Sequence, residues 1–331
     1  MPRQARLDAP GALHHIIVRG INKAPIFKDD QDRGRFLERL GENVLQGQCT
    51  VHAWVLMTNH IHLLFKSGKD GISAVMRKQL TWYAQYFNRR HARTGHLFEN
   101  RYKSILCDEE TYLLALIRYI HLNPIRAKII QTMEELDRYP WTGHRAIIGK
   151  ADHPWMDIDA CLGEFGGTRK KAILEYRRFV REGIKEGKNP ALTGGGLIRS
   201  QGGWSQVMAM RRRGQREEYD ERILGGGKFV MEIFREAEDR QLRQTKHKRS
   251  GQTIPKIIDQ ECRERQINEQ ELKAGGKRSC VSATRAAIAY RCREELGSSA
   301  AEIARHLGVN TSCIVRSIAR LEKGKEQEKH R

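Results

Sequence analysis

Two histidines on alternate residues of an apolar segment are the first side chains in this sequence that could do chemistry. The segment AWVLMTNHIHLLFK covers residues 53–66 and places one isoleucine between His60 and His62. Alternate residues of a strand point to the same face, about 7 Å apart along the backbone. Two neutral imidazoles at that spacing can chelate one divalent cation that also takes oxygen ligands. The same pair could be half-buried strand residues that hydrogen-bond to their neighbours, and the spacing alone does not separate these readings.

A tyrosine and an asparagine lie one helical turn apart in LIRYIHLNP. Tyr119 and Asn123 are four residues apart and therefore share one face of a helix. A phenol can attack a phosphodiester and form a covalent intermediate, while an amide oxygen can serve as a third metal ligand. The competing interpretation makes Tyr119 a core aromatic residue that packs with Leu116 and Ile120.

The elements that must position these residues follow from the pattern of apolar residues. We predict the order β-α-β-β-α-β-α, with strands or extended segments at 13–20, 50–58, 60–66 and 96–107 and helices at 29–46, 71–91 and 108–124. This order predicts an α+β fold, a ferredoxin-like antiparallel sheet whose helices pack on one face.

The character of the sequence changes after YPWTGH (residues 139–144). Glycine pairs and triplets and the run Arg211, Arg212 and Arg213 predict a basic, glycine-interrupted helical connector over residues 151–275. The segment ELKAGGKRS (271–279) is the best candidate for a last linker. We therefore predict one domain over 1–150, which contains the residues named above, then this connector, and a further domain over 276–331.

Composition favours a polyanionic partner. The formal net charge is +20, and most of the excess lies in residues 169–331. A basic excess of this size points to nucleic acid before a membrane surface. The seven cysteines are scattered without a C-x-x-C, which argues against a disulfide framework and a cysteine zinc site. Neither a signal peptide nor a run of about eighteen apolar residues is present, so we expect a cytoplasmic protein.

Several segments together resemble the HUH-type single-tyrosine transposases, and most closely the REP-associated tyrosine transposases. The resemblance covers roughly residues 8–150 and rests on LHHIIVRGINKAPIFKDDQDRGRFL, AWVLMTNHIHLLF, GHLFENRYKSILCDEETYLLALIRYIHLNPIRAKI and YPWTGH. It implies a ferredoxin-like sheet that carries both histidines on a central strand, and a helix that delivers the tyrosine.

The resemblance also implies a role for each matched residue. His60 and His62 match the metal-binding histidine pair, Tyr119 matches the nucleophile, and Asn123 matches the polar residue that completes the metal site. Enzymes of this kind use Mg²⁺ or Mn²⁺, cut single-stranded DNA, and leave a 5′-phosphotyrosine and a free 3′-OH. Tyr112 is a weaker candidate nucleophile, because it lies at the helix start, where we expect packing.

Basic residues near the motifs are candidates for contacts with DNA. We predict such contacts for Arg101, Tyr102 and Lys103, which interleave two cations with an aromatic ring. The run Arg211, Arg212 and Arg213 could contact phosphates or could be solvated charge.

The segment from residue 282 to residue 323 has a separate signature. Ala304, Gly308 and Ile314 have the spacing of a helix-turn-helix, in which a small residue, a turn glycine and a buried apolar residue recur. The segment resembles the C-terminal DNA-binding domain of the replication initiator DnaA. An ordinary helical hairpin remains the alternative. If the motif is real, the candidates for major-groove contacts are Asn310, Thr311, Ser312 and Arg316.

These observations predict a metal-dependent single-strand DNA endonuclease and strand transferase that acts on hairpin-forming repeats. Its partners would be hairpin DNA and flanking duplex DNA, with no membrane, and the chain could act as a monomer or a dimer. A DNA-binding regulator without cleavage activity is the main alternative. A metallonuclease that uses water as the nucleophile is a second.

Overall fold

The computed structural model describes residue 8 and residues 11–68, 71–186, 192, 222–233, 235, 250–276 and 278–329. Contacts divide the chain into two compact units, Met1–Met231 and Glu232–Arg331. No helix in these described ranges is long and apolar enough to cross a membrane.

A five-stranded sheet forms the centre of the first unit. The strands are β1 (Leu13–Arg19), β2 (Thr50–Leu56), β3 (His60–Lys66), β4 (Lys103–Cys107) and β5 (Ile223–Leu224). Their order in the sheet is β2-β3-β1-β4-β5, and β3 is paired on both sides. The first four strands are antiparallel, and β5 is parallel to β4, so the sheet is mixed. The α+β fold class predicted from the sequence is confirmed.

Helices cover both faces of this sheet, so the prediction that they pack on one face was wrong. Helices α1 (Asp30–Gln46) and α2 (Ile72–Arg90) pack on the face that carries Leu63. Helix α3 (Glu109–His121) packs on the opposite face, which carries Leu64. The physical reason is that consecutive residues of β3 are apolar and fully buried, and a strand that is apolar on both faces needs a cover on each.

The layer over the second face continues past residue 150. Its further helices are α4 (Asn123–Arg126), α5 (Met133–Leu136), α6 (His144–Ile147), α7 (Asp159–Gly163) and α8 (Arg169–Lys185). Helix α8 lies close to α3 at Gly183, which has no side chain. A Cβ at this position would come within 2.6 Å of the Arg118 side chain on α3. The Arg118 guanidinium in turn lies 4.3 Å from the centre of the Phe179 ring.

A buried hydrogen-bonded chain ties α8 to α3 and α6. The Tyr176 hydroxyl lies 2.8 Å from Nδ1 of His121 and 2.9 Å from Nδ1 of His144. Nε2 of His144 lies 2.9 Å from a carboxylate oxygen of Asp137. Both histidines and Tyr176 are fully buried. A buried polar group without a partner costs about 1–3 kcal/mol, so breaking these hydrogen bonds is unfavourable. The hydrogen bonds therefore hold the C-terminal end of α3 in one position.

The second unit is helical and has one core. Its helices are α9 (Ile254–Glu264), α10 (Glu269–Lys273), α11 (Ser279–Leu296), α12 (Ala300–His306) and α13 (Thr311–Lys329). The core joins Ile257 and Leu272 to Val281, Ile288 and Ile314. Core residues therefore lie on both sides of residue 275, where we had predicted a linker, and a cut there would divide the core. The contacts separate the chain after Met231 instead.

Candidate active site

Strand β3 brings two histidines to one face of the sheet. The ring centroids of His60 and His62 are 5.1 Å apart. In the neighbouring β1 the register places Arg19 opposite His60 and Ile17 opposite His62. Because facing residues of an antiparallel pair project to the same side, these four side chains share one surface.

Helix α3 brings the tyrosine to the same surface. The helix begins after Asp108, whose carboxylate caps the N–H of Thr111, and the fully buried Leu116 and Ile120 pack it on the sheet. The centroid of the Tyr119 ring lies 5.9 Å from that of His62. The side chain is only 8% exposed, yet its hydroxyl has no hydrogen bond to any residue that the structure describes. A phenol oxygen without a protein partner is available to a ligand.

A cavity of about 540 Å³ opens over these residues. The lining contains four cationic side chains and one carboxylate, that of Glu99, so the net charge of the cavity is positive. Such a surface attracts a polyanion such as a nucleic-acid backbone. The polar and charged residues of the lining are Arg19, His60, His62, Glu99, Asn100, Arg101, Lys103, Tyr119, Asn123 and Arg126.

The hydrogen bonds around His60 leave one of its ring nitrogens available. Nδ2 of Asn59 donates to the carbonyl oxygen of Lys23 (2.9 Å), so Oδ1 of Asn59 is the atom that faces Nδ1 of His60 (2.7 Å). Nδ1 must therefore carry the proton, and Nε2 keeps its lone pair. Burial, with a smaller contribution from Arg19, lowers the pKa of His60 to about 4. The imidazole is thus neutral at pH 7, as a metal ligand must be.

His62 is held by a histidine that the sequence interpretation had left without a role. Nδ1 of His62 lies 2.9 Å from Nε2 of His15, and the two rings stack with centroids 5.1 Å apart. Burial is the main cause that holds the pKa of His62 well below its usual value, and His15 and His60 add to it. When His62 donates its Nδ1 proton to His15, its Nε2 is free to bind a cation. The doublet in LHHIIVRG was the available signal for His15.

Asn123 lines the same cavity. Its Nδ2 donates to the carbonyl oxygens of Tyr119 (2.9 Å) and Ile120 (3.2 Å). Oδ1 has no hydrogen-bond partner among the described residues. Two neutral imidazoles and one amide oxygen are a donor set that suits a divalent cation. The described ranges contain no group of three His, Cys, Asp or Glu side chains able to hold a metal ion, so a cation at these two histidines would need a ligand of another kind, such as the amide oxygen of Asn123.

Arg126 is a second residue that the sequence interpretation missed. Its guanidinium lies 5.1 Å from the centre of the Tyr119 ring, and its Nη1 donates to the Tyr119 carbonyl oxygen at 3.1 Å. The signal was present in IHLNPIRAK, where an arginine follows Tyr119 by two helical turns.

The predicted DNA-contacting residues near the strands are divided between two places. Arg101 and Lys103 are exposed and line the cavity. Tyr102 is not brought there: it is buried in the core under α2, and its hydroxyl lies 3.0 Å from Oγ of Ser73. Alternation along the chain turns Tyr102 to the opposite face from its two neighbours. Tyr112 is half-buried at the start of α3 and does not line the cavity.

In the second unit, the four-residue turn between α12 and α13 exposes the remaining candidates. Oδ1 of Asn310 accepts a hydrogen bond from the N–H of Cys313 (2.7 Å) and so caps α13, while Thr311, Ser312 and Arg316 are exposed on the first turns. Gly308 adopts φ +64° in the turn, and Ala304 and Ile314 are buried beneath it. Arg211, Arg212 and Arg213 lie outside the described residues.

Part of the chain is similar to known proteins. A solved structure described as a REP-associated tyrosine transposase bound to a REP hairpin is 14% identical to the chain, with a TM-score of 0.37, over 51% of this chain and 93% of that chain. No protein of curated function matches the chain. Residues 10–123 match the family described as transposase IS200 like. This range includes His60, His62, Tyr119 and Asn123, so all four candidate residues lie in the part of the chain that is similar to IS200-like transposases.

Proposed function

We propose that the domain containing residues 10–123 is a metal-dependent endonuclease and strand transferase that acts on single-stranded DNA through a phosphotyrosine. The observation that carries the proposal is the unbonded hydroxyl of Tyr119, whose ring lies 5.9 Å from that of His62 in a positively charged cavity. A core aromatic residue would not need this environment, whereas a nucleophile that attacks a phosphodiester would.

The cationic residues of the cavity and Tyr119 have separate parts in the reaction. Arg19, Arg101 and Lys103 bind the DNA backbone and place one phosphodiester next to Tyr119. The phenol oxygen forms a bond to phosphorus, the bond from phosphorus to the 3′-oxygen breaks, and the 3′-oxygen takes up a proton from water while the phenol proton is lost to water. The DNA is then joined to Tyr119 through its 5′-phosphate, and a 3′-OH that later attacks this phosphate releases the tyrosine and rejoins a strand.

His60, His62 and Asn123 would hold a Mg²⁺ or Mn²⁺ ion, which would supply positive charge to the scissile phosphate when bound. Because Nδ1 of His60 carries the proton, Nε2 of His60 would be its ligand atom. Because Nδ2 of Asn123 donates to a backbone carbonyl, Oδ1 of Asn123 would be its ligand atom. Neutral histidines at pH 7 support this assignment.

We further propose that the substrate is a hairpin-forming repeat with duplex flanks, and that the C-terminal unit binds the duplex. The exposed first turns of α13 and the turn at Gly308 support a helix-turn-helix that enters the major groove. In this organisation the catalytic part is N-terminal and the duplex-binding part is C-terminal.

The test is incubation of the full chain with labelled hairpin DNA and Mn²⁺, followed by a denaturing gel. We expect a protein–DNA adduct that survives denaturation and is absent with Tyr119→Phe. Binding without cleavage would favour a DNA-binding regulator. Cleavage without an adduct would favour a metallonuclease that uses water.

A further inference from the structure

Arg126 makes two contacts with Tyr119, the proposed nucleophile. Its Nη1 donates to the backbone carbonyl oxygen of Tyr119 (3.1 Å), and its guanidinium lies 5.1 Å from the centre of the Tyr119 ring. The side chain also lines the cavity that contains His60 and His62. Its position is set by α4, which starts with Asn123 and Pro124 just after the end of α3.

The charge of Arg126 has no carboxylate partner among the described residues. Its Nε is buried and has no hydrogen-bond partner there. Arg118, on the same side of the first unit, is by contrast paired with Glu186. A half-buried guanidinium without a direct ion pair is costly, because the charge has lost part of its hydration. Such a group is retained where an anionic ligand completes its contacts, and a phosphate is the anion that a bidentate guanidinium fits best.

We propose that Arg126 is a catalytic residue that holds the ring of Tyr119 and binds the phosphate that the tyrosine attacks. This inference rests on the proposed function. A phosphate bound by Arg126 next to the Tyr119 ring would receive this positive charge as the phenol oxygen bonds to phosphorus and negative charge develops on the phosphate oxygens. The same charge would act again when a 3′-OH attacks the phosphotyrosine and the phenol oxygen leaves with its electron pair. The same residue therefore assists cleavage and rejoining.

A different role for Arg126 would be packing alone. In that case the hydrogen bond to the Tyr119 carbonyl and the contact with the ring would fix the helix junction, and the charge would be incidental. The two roles differ in what a charge-free side chain of similar length does. Gln and Met keep a chain along the ring without the charge, and Lys keeps the charge without the planar fork.

The experiment compares the full-length variants Arg126→Gln, Arg126→Met and Arg126→Lys with wild type. Arg138→Gln is the matched control, because Arg138 is exposed in the same unit and does not line the cavity. Three quantities are measured with hairpin DNA and Mn²⁺: the single-turnover rate of adduct formation at saturating DNA, the hairpin Kd, and the Tm.

We expect Arg126→Gln and Arg126→Met to lower the single-turnover rate about 100-fold, as the loss of one transition-state donor does elsewhere. The hairpin Kd should change by less than about fivefold, since the other cations of the cavity remain. Arg126→Lys should be faster than both charge-free variants, and Arg138→Gln should match wild type.

The proposal is overturned if a folded charge-free variant forms the adduct within about threefold of the wild-type rate. It is also overturned if Lys is as slow as Gln and Met, or if neither charge-free variant folds, because Arg126 would then act through the fold. Failure of wild type to form any adduct would instead defeat the proposed function itself.

Discussion

The ring of Tyr119 stands edge-on to the ring of His62, with centroids 5.9 Å apart and planes at 85°. One residue comes from α3 and the other from β3, and the two elements meet because both bury apolar side chains in the same layer, including Leu64 and Leu116. His15 lies against both rings and completes the group. A candidate nucleophile and a candidate metal ligand are thus brought together by ordinary core packing.

Replacing Tyr119 by Phe should abolish adduct formation and leave the fold intact. The hydroxyl makes no hydrogen bond to a described residue, so its loss should change the free energy of unfolding by less than about 0.5 kcal/mol. Hairpin binding should be nearly unchanged, because the ring and the cations remain. The measurements are a denaturing gel and urea unfolding, with Tyr112→Phe as the control that keeps activity. An adduct of normal yield from Tyr119→Phe would remove Tyr119 from the mechanism.

His60→Ala and His62→Ala should each lose cleavage, and EDTA should have the same effect on wild type. Each substitution removes one of three proposed protein ligands from a site for a weakly held ion. The control is His306→Ala, an exposed histidine of the C-terminal unit, which should keep cleavage of a bare hairpin. Full activity in excess EDTA would exclude the metal mechanism.

Tyr176→Phe should destabilise the first unit although Tyr176 is far along the chain from the motifs. The variant leaves Nδ1 of both His121 and His144 without the hydroxyl between them, which should cost about 1–3 kcal/mol. Denaturant unfolding measures the loss, and Tyr112→Phe is again the matched control. Equal stability of the two variants would show that the buried chain does not hold α3.

Stability should fall as the pH is lowered from about 6.5. Burial holds the pKa of His62 and His121 well below the usual value, and that of His60 at about 4. The unfolded chain therefore binds protons first, near pH 6.5, and the free energy of unfolding decreases until the folded-state pKa is reached. Urea unfolding at pH 7.5, 6.5, 5.5 and 4.5 measures this. His121→Gln should show a shallower decrease, and a flat profile for wild type would contradict the prediction.

A protein that ends at residue 231 should keep the tyrosine chemistry and bind flanked hairpins more weakly. All proposed catalytic residues lie in the first unit, whereas the candidates for duplex contact lie on α13. Loss of tethered contacts should lower the affinity for DNA with duplex flanks and make its salt dependence shallower.

The point variant Arg316→Ala in the full chain should reproduce part of this loss of affinity. A folded protein of residues 1–231 that cannot form the adduct at saturating bare hairpin would show that the two units do not act separately.

Local periodicity allowed the sequence to determine which residues share a face. The alternation of a strand places His60 beside His62, and the helical repeat places Tyr119 beside Asn123, because both periods are properties of a single element. The order and type of the elements followed from the same patterns. The resemblance to a transposase was carried by motifs within roughly residues 8–150, and the family match over residues 10–123 confirms it.

Contacts between distant elements were decided only by the tertiary structure. Strand register brings His15 to His62, and packing of α8 on α3 adds Tyr176 to the support of the tyrosine helix. The turn of the chain at α4 lays Arg126 over Tyr119, while Tyr102 faces the core. The contacts of His15 and Tyr176 have no local period, because each depends on how two separate apolar surfaces are buried against each other.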